Sequence, residues 1–188
     1  MSELTADDKE FLFQTVLQIG LAVMTASPSG LEGTFDETET MVEAPVQLAK
    51  NFPNSTLIQS ILEQNRGGEE DVVDEDEEET TEEAGEDVEA SEGEEEETAD
   101  EPDRPEGPDQ ILAEAVTMCR QAADLLNGVE AEEASQYKAW ALACGTAVAQ
   151  ASKEGGFLGF RKKLVTDDER VALEQIAQAL QAPMPKLP

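Results

Sequence analysis

The chain has 188 residues, with 44 acids against 12 bases, no histidine and a formal net charge of −32. Charge this negative repels phosphates, which argues against nucleic acid or an anionic membrane surface as a partner. The missing histidine removes the side chain most used for proton transfer near neutral pH and the commonest transition-metal ligand, so neither catalysis nor a cofactor is expected.

Met1-Ser2-Glu3 leads straight into an acidic, capped segment, which is not the pattern of a secretory leader. Thr5 followed by Asp8 predicts an N-cap, with Leu4 as the staple residue before it. Leu12, Val16, Ile19 and Val23 then recur at three- and four-residue spacing, and Phe13, Leu17 and Met24 widen the apolar face. The uncharged stretch Phe11–Ala26 is sixteen residues long and includes Gln14, Thr15 and Gln18. That is short for a membrane span and predicts a helix buried in a protein core. Pro28-Ser29-Gly30 should end it.

A second helix is predicted from about Asp36 to Lys50, kinked or divided at Pro45. A short third helix follows Pro53-Asn54 and uses Leu57, Ile58, Ile61 and Leu62. Between Gly67 and Gly107 lie 23 acids and one base, Arg104. Val72, Val73 and Val88 are too little apolar surface to offset the entropy of ordering, so disorder is expected there. The rest of the chain then carries 21 acids and 11 bases, a net charge of −10. The folded part is only moderately acidic.

Pro108 opens a fourth helix in which Leu112, Ala115, Val116, Cys119, Ala122, Ala123 and Leu126 share one face, and Asn127-Gly128 stops it. A fifth runs from about Glu130 to Ser152 through Tyr137, Trp140, Cys144 and Val148. The last begins at Thr166-Asp167-Asp168-Glu169, a capping-box spacing, and buries Leu173, Ile176, Ala177 and Leu180 before Pro183 and Pro185 end it. No segment has the alternation of a strand. Cys119 and Cys144 form no CxxC pair and fall in apolar helical patterns, as reduced, buried cysteines do.

Gly20, Ala22, Val23, Ala26 and Ser27 match Gly145, Ala147, Val148, Ala151 and Ser152 at a constant offset of 125. Each helix is followed by a glycine-containing stretch, Gly30–Phe35 or Gly155–Phe160, and then by an acidic cap. The pattern is that of a duplicated helix–loop–helix unit, although alanine and glycine are common enough here to match by chance. The stretch Ser152-Lys153-Glu154-Gly155-Gly156-Phe157-Leu158-Gly159-Phe160, with Val165-Thr166-Asp167-Asp168-Glu169 after it and Ser27-Pro28-Ser29-Gly30 before the second helix, resembles a bacterial family of helical proteins with no assigned activity. The resemblance implies a helical fold for both ends and says nothing of the acidic middle. Arg161-Lys162-Lys163 departs from the family's glycine-rich continuation.

Chemical candidates are few. Gly155, Gly156 and Lys153 could present backbone amides and charge to an anion, but no Gly-Lys-Ser/Thr follows and no strand precedes. The same stretch could be a tight loop anchored by Phe157, Leu158 and Phe160. With Arg161, Lys162 and Lys163 it could also form a protein-binding surface or dock the chain's own acidic run. Two carboxylate clusters, Asp36/Glu37/Glu39 and Asp167/Asp168/Glu169, suit hard cations, yet neither has EF-hand spacing and helix caps account for both. Tyr137 and Trp140, three apart on one helix, are expected as core anchors.

The sequence therefore predicts an all-α bundle of five to six helices. Its parts are an N-terminal helical half (4–65), a disordered acidic insert (67–107) and a C-terminal helical half (108–182) packing with the first. The function expected is that of a non-enzymatic, cytoplasmic interaction or scaffold protein for a protein partner, basic if the acidic run engages it, with homodimerisation through the Phe-bearing loop open to it. The alternative is a binding protein responsive to small anions or divalent metals through the two glycine-loop/acidic-cap units.

Overall fold

A computed structural model describes residues 4–27, 30–66, 107–151 and 165–187. Among them the secondary structure is six α-helices and no strand: α1 (Ala6–Ala26), α2 (Gly30–Ala49), α3 (Thr56–Arg66), α4 (Pro108–Leu126), α5 (Ala131–Ala151) and α6 (Asp167–Ala179). The protein is an all-α helical bundle.

Helix α1 is its hub, packed against every other helix. A helix without charge from Phe11 onward can be surrounded in this way, because no face of it needs water. Leu12, Val16, Ile19 and Val23 are all buried, as their spacing predicts. The N-terminus is held by a complete capping box: the Asp8 amide donates to Thr5 Oγ1 (3.1 Å) and the Thr5 amide donates to Asp8 Oδ2 (2.8 Å). The bonds from the Thr5 hydroxyl and amide hold the Asp8 carboxyl below its ordinary value.

Around α1, α4 lies alongside it, α2 runs along α5, α3 rests on α1 and α5, and α6 closes over α4, α1 and α5. One apolar core thus takes Leu12 and Ile19 from α1, Ile58 and Ile61 from α3, Cys119 from α4, Trp140 from α5 and Leu173 and Ile176 from α6. The helices on either side of residues 67–106 share this core. Among the described residues no helix is long and apolar enough to cross a membrane.

One expectation is corrected. The second helix begins at Gly30, not near Asp36, so Gly30–Phe35 is helical backbone. Asp36 and Glu39 are therefore interior to α2 and cap nothing. Glycine's cost in a helix, about 1 kcal/mol each, is smaller than the gain available from packing a longer helix along a neighbour. Pro45 neither divides α2 nor ends it; the helix runs through it to Ala49.

The start of α3 is completed from α5, across 76 to 78 residues of chain. The Glu133 carboxylate accepts from Ser55 Oγ (2.6 Å), from the Thr56 amide and hydroxyl (both 2.9 Å) and from the Leu57 amide (3.1 Å). Two amides left bare at a helix N-terminus are thereby satisfied by a charge that also suits the helix dipole. Burial alone would push the Glu133 pKa up, but the Ser55, Leu57 and Thr56 bonds outweigh it and hold it below the ordinary 4.5. A carboxylate depressed on folding stabilises fully above its unfolded pKa and loses that contribution as pH falls through the folded value. Glu133→Gln should therefore cost about 1–3 kcal/mol at pH 7. The gap to the parent chain should shrink on acidification below pH about 4.5. Urea unfolding of both proteins at pH 7 and pH 3.5 measures it, and a gap that is absent or independent of pH would contradict the trans-cap.

Candidate functional site

The residues singled out in the second glycine stretch, Lys153, Gly155, Gly156, Phe157, Leu158, Phe160, Arg161, Lys162 and Lys163, lie outside the described residues, as does the acidic run apart from Gly107. The two acidic clusters are described, and neither converges. In the first, Asp36 and Glu39 are exposed while Glu37 between them is only 1% exposed. In the second, Glu169 accepts from the Thr166 amide (2.6 Å) as half of a capping box, and Asp167 pairs outward with Arg170 at 3.4 Å. The second cluster is the predicted helix cap. No group of three or more His, Cys, Asp or Glu side chains among the described residues is placed to hold a metal ion.

The nucleophile candidates are sealed. Cys119 and Cys144 are free and buried, and burial pushes both thiols up to about 12, leaving them protonated at neutral pH. Tyr137 is fully buried; burial, with Cys119 and Cys144 beside it, raises its pKa well above the ordinary value. Its hydroxyl donates to the Leu12 carbonyl at 2.8 Å, and Trp140 Nε1–H donates to the Pro45 carbonyl at 3.0 Å. Both aromatic side chains tie α5 to its neighbours and face no cavity.

The concavity in the described surface with the features of a binding site is one the sequence did not announce. It is a groove of about 540 Å³ between α5, the α4–α5 turn and the chain after α6. That volume is within the range of small-molecule pockets. Leu126, Val129, Ala134 and Leu142 supply its apolar side. Its other wall is the tail Ala182–Pro185, in which Pro183 and Pro185 restrict the backbone to extended geometry while Ala182, Met184 and Leu187 pack on the core. Asn127, Ser135, Lys138 and Gln181 line it as polar groups.

Two properties of this groove stand out. In a chain with 44 acids its lining among the described residues contains no Asp or Glu and one cation, Lys138. Its lip also holds Gln181, the one non-glycine residue with positive φ among the described residues (φ 52°). The Ala182 amide donates to the Ala177 carbonyl (2.9 Å) and the Gln181 amide to the Gln178 carbonyl (3.1 Å), the two bonds of a Schellman helix end. That position favours glycine, and a side chain there costs about 1 kcal/mol of backbone strain. Gln181 is exposed and lines both this groove and the neighbouring concavity of Arg120 and Asp124.

No protein-family model matches the chain, and no curated protein or solved structure compared with it does either.

Proposed function

We propose that this chain is a non-enzymatic interaction protein of the cytoplasm, in which one helical bundle presents a polyanionic segment to a basic protein partner. The observation that carries this reading is the single core shared by helices before and after residues 67–106. The 23 acids between Gly67 and Gly107 thus lie in the stretch of chain that joins two flanks anchored in one body. Charge of that density attracts a basic surface over about a Debye length and speeds encounter, with strong dependence on salt. Protonated, buried thiols suit a reducing compartment and supply no nucleophile.

The experiment replaces residues 67–106 with a neutral Gly/Ser linker, and separately with a scrambled order of the same residues. Partners are then compared by affinity capture and cross-linking at low and high salt. The linker variant should keep its helical circular dichroism and melting transition, because the core is untouched, and lose the basic partners. The scrambled variant should retain them, since charge and not order is recognised. Unchanged capture by the linker variant would remove the acidic segment from the mechanism.

A further inference from the structure

A second, independent binding function follows from the groove beside α5. We propose that it binds a small amphiphilic monocarboxylate, a molecule with an aliphatic or aromatic body and one carboxylate end. The apolar body lies along Leu126, Val129 and Leu142, and the carboxylate pairs with Lys138. Four observations lead there. The first is the volume, about 540 Å³, bounded on one side by helix and on the other by the proline-stiffened tail.

The second is charge. Lys138 makes no hydrogen bond or ion pair among the described residues, and nothing acidic lines the groove to neutralise it. Other lysines of the described surface are unpaired too; what sets Lys138 apart is the apolar lining beside it with no acid among the described residues, whereas Arg120 shares its concavity with Asp124. An unpaired ammonium beside apolar surface selects an anion with an apolar body, and a carboxylate accepting from it forms a charge-assisted hydrogen bond.

The third is the further donor set. The side chains of Asn127, Ser135 and Gln181 line the same groove and likewise make no hydrogen bond among the described residues, so donors for the second carboxylate oxygen are at hand. The fourth is Gln181, held at positive φ on the ridge between this groove and the concavity of Arg120 and Asp124, both of which it lines. Strain retained at a concave surface is how proteins commonly hold a ligand-facing group. A divalent acid or a phosphate is less well served, because a single cation balances a single negative charge.

The test uses the full chain, with octanoate as the probe and octanol as its uncharged counterpart, measured by calorimetric titration and by melting temperature. Octanoate should bind saturably and raise the melting temperature. Lys138→Gln should weaken octanoate at least about tenfold, the loss of one charge-assisted contact, and leave octanol unchanged, while Lys138→Arg restores most of the affinity. Ala139→Trp, a change at an exposed lining position, should block both probes without lowering the melting temperature.

Gln181→Gly separates structure from binding. It should raise the melting temperature of the free protein and weaken octanoate, whereas a purely structural Gln181 would show only the first effect. The proposal is overturned if octanoate fails to saturate at millimolar concentration. It is equally overturned if Lys138→Gln binds octanoate as the parent does, or if a peptide with an apolar C-terminal residue competes for Lys138 while octanoate does not. The linker variant lacking residues 67–106 should bind octanoate unchanged, so failure of one proposed function leaves the other standing.

Discussion

Trp140→Ala should lower the unfolding free energy by about 3–5 kcal/mol, a large part of the 5–15 kcal/mol that a domain of this size typically has. Trp140 is fully buried and the largest side chain in the core. It meets Tyr137 edge-on, ring centroids 5.8 Å apart at 65°, a geometry worth roughly 1 kcal/mol beyond burial. Its indole N–H also makes a side-chain bond between α5 and α2, accepted by the carbonyl of Pro45. Proline lacks an amide, so the Met41 carbonyl loses its intrahelical donor; the Trp140 bond falls on a different carbonyl, that of Pro45, and ties α5 to the same stretch of α2. Trp140→Phe keeps most of the volume and should cost about 1–3 kcal/mol, chiefly for the indole N–H bond lost at a buried carbonyl. The chain has no other tryptophan, so unfolding of these variants is followed by far-ultraviolet circular dichroism in urea. A loss below about 1 kcal/mol for the alanine variant would contradict the packing described.

Gly145→Ala and Gly20→Ala should have opposite signs, although each places a methyl group in a buried helix. A Cβ at Gly145 would lie 2.7 Å from Ile19 Cγ2 and 3.2 Å from Leu173 Cδ2, and both neighbours are fully buried. Isoleucine is stiff at χ1, so relief requires α1 or α6 to move away from α5. Alanine's better helix propensity recovers about 1 kcal/mol, against an overpacking cost of about 1–3 kcal/mol. The net should be a loss of up to about 2 kcal/mol. At Gly20 the near atom is Met41 Cγ, also at 2.7 Å and moved only by χ1, but Met41 is unbranched at Cβ and partly exposed, so another χ1 rotamer is open to it. There the propensity term should prevail, leaving stability unchanged or up to about 1 kcal/mol higher. Equal effects at the two sites in parallel urea titrations would mean that the α1–α5–α6 contact is looser than the distances imply.

The features legible in the sequence were those written over short spacings. Thr5–Asp8 and Thr166–Glu169 are three residues apart, and both form the capping boxes their spacing predicts. Of the predicted face, Leu112 is partly buried and Ala115, Val116, Cys119, Ala122, Ala123 and Leu126 are buried, because residues three and four apart on a helix must share a side. Tyr137 and Trp140 are core anchors for the same reason. Gly30–Phe35 went the other way. Two glycines and a threonine argue locally for a loop, and the backbone is nevertheless helical, since local propensity is a weak prior against tertiary packing. The groove had no local signature at all. Lys138 looks like any solvent-facing lysine on a helix, and Gln181 like any glutamine before Ala-Pro.

By itself, then, the amino-acid sequence determined the helices, most of their boundaries, the two capping boxes and the segregation of charge into residues 67–107. Each of these follows from neighbours within a turn or two, or from composition alone. Only the tertiary structure decided that Glu133 caps a helix 76 residues upstream, that Gly145 is where α1, α5 and α6 meet, and that the tail after α6 folds back to form a groove free of acids. These depend on which helix packs on which, and that choice is made by the summed burial of many side chains, with no short stretch of chain encoding it.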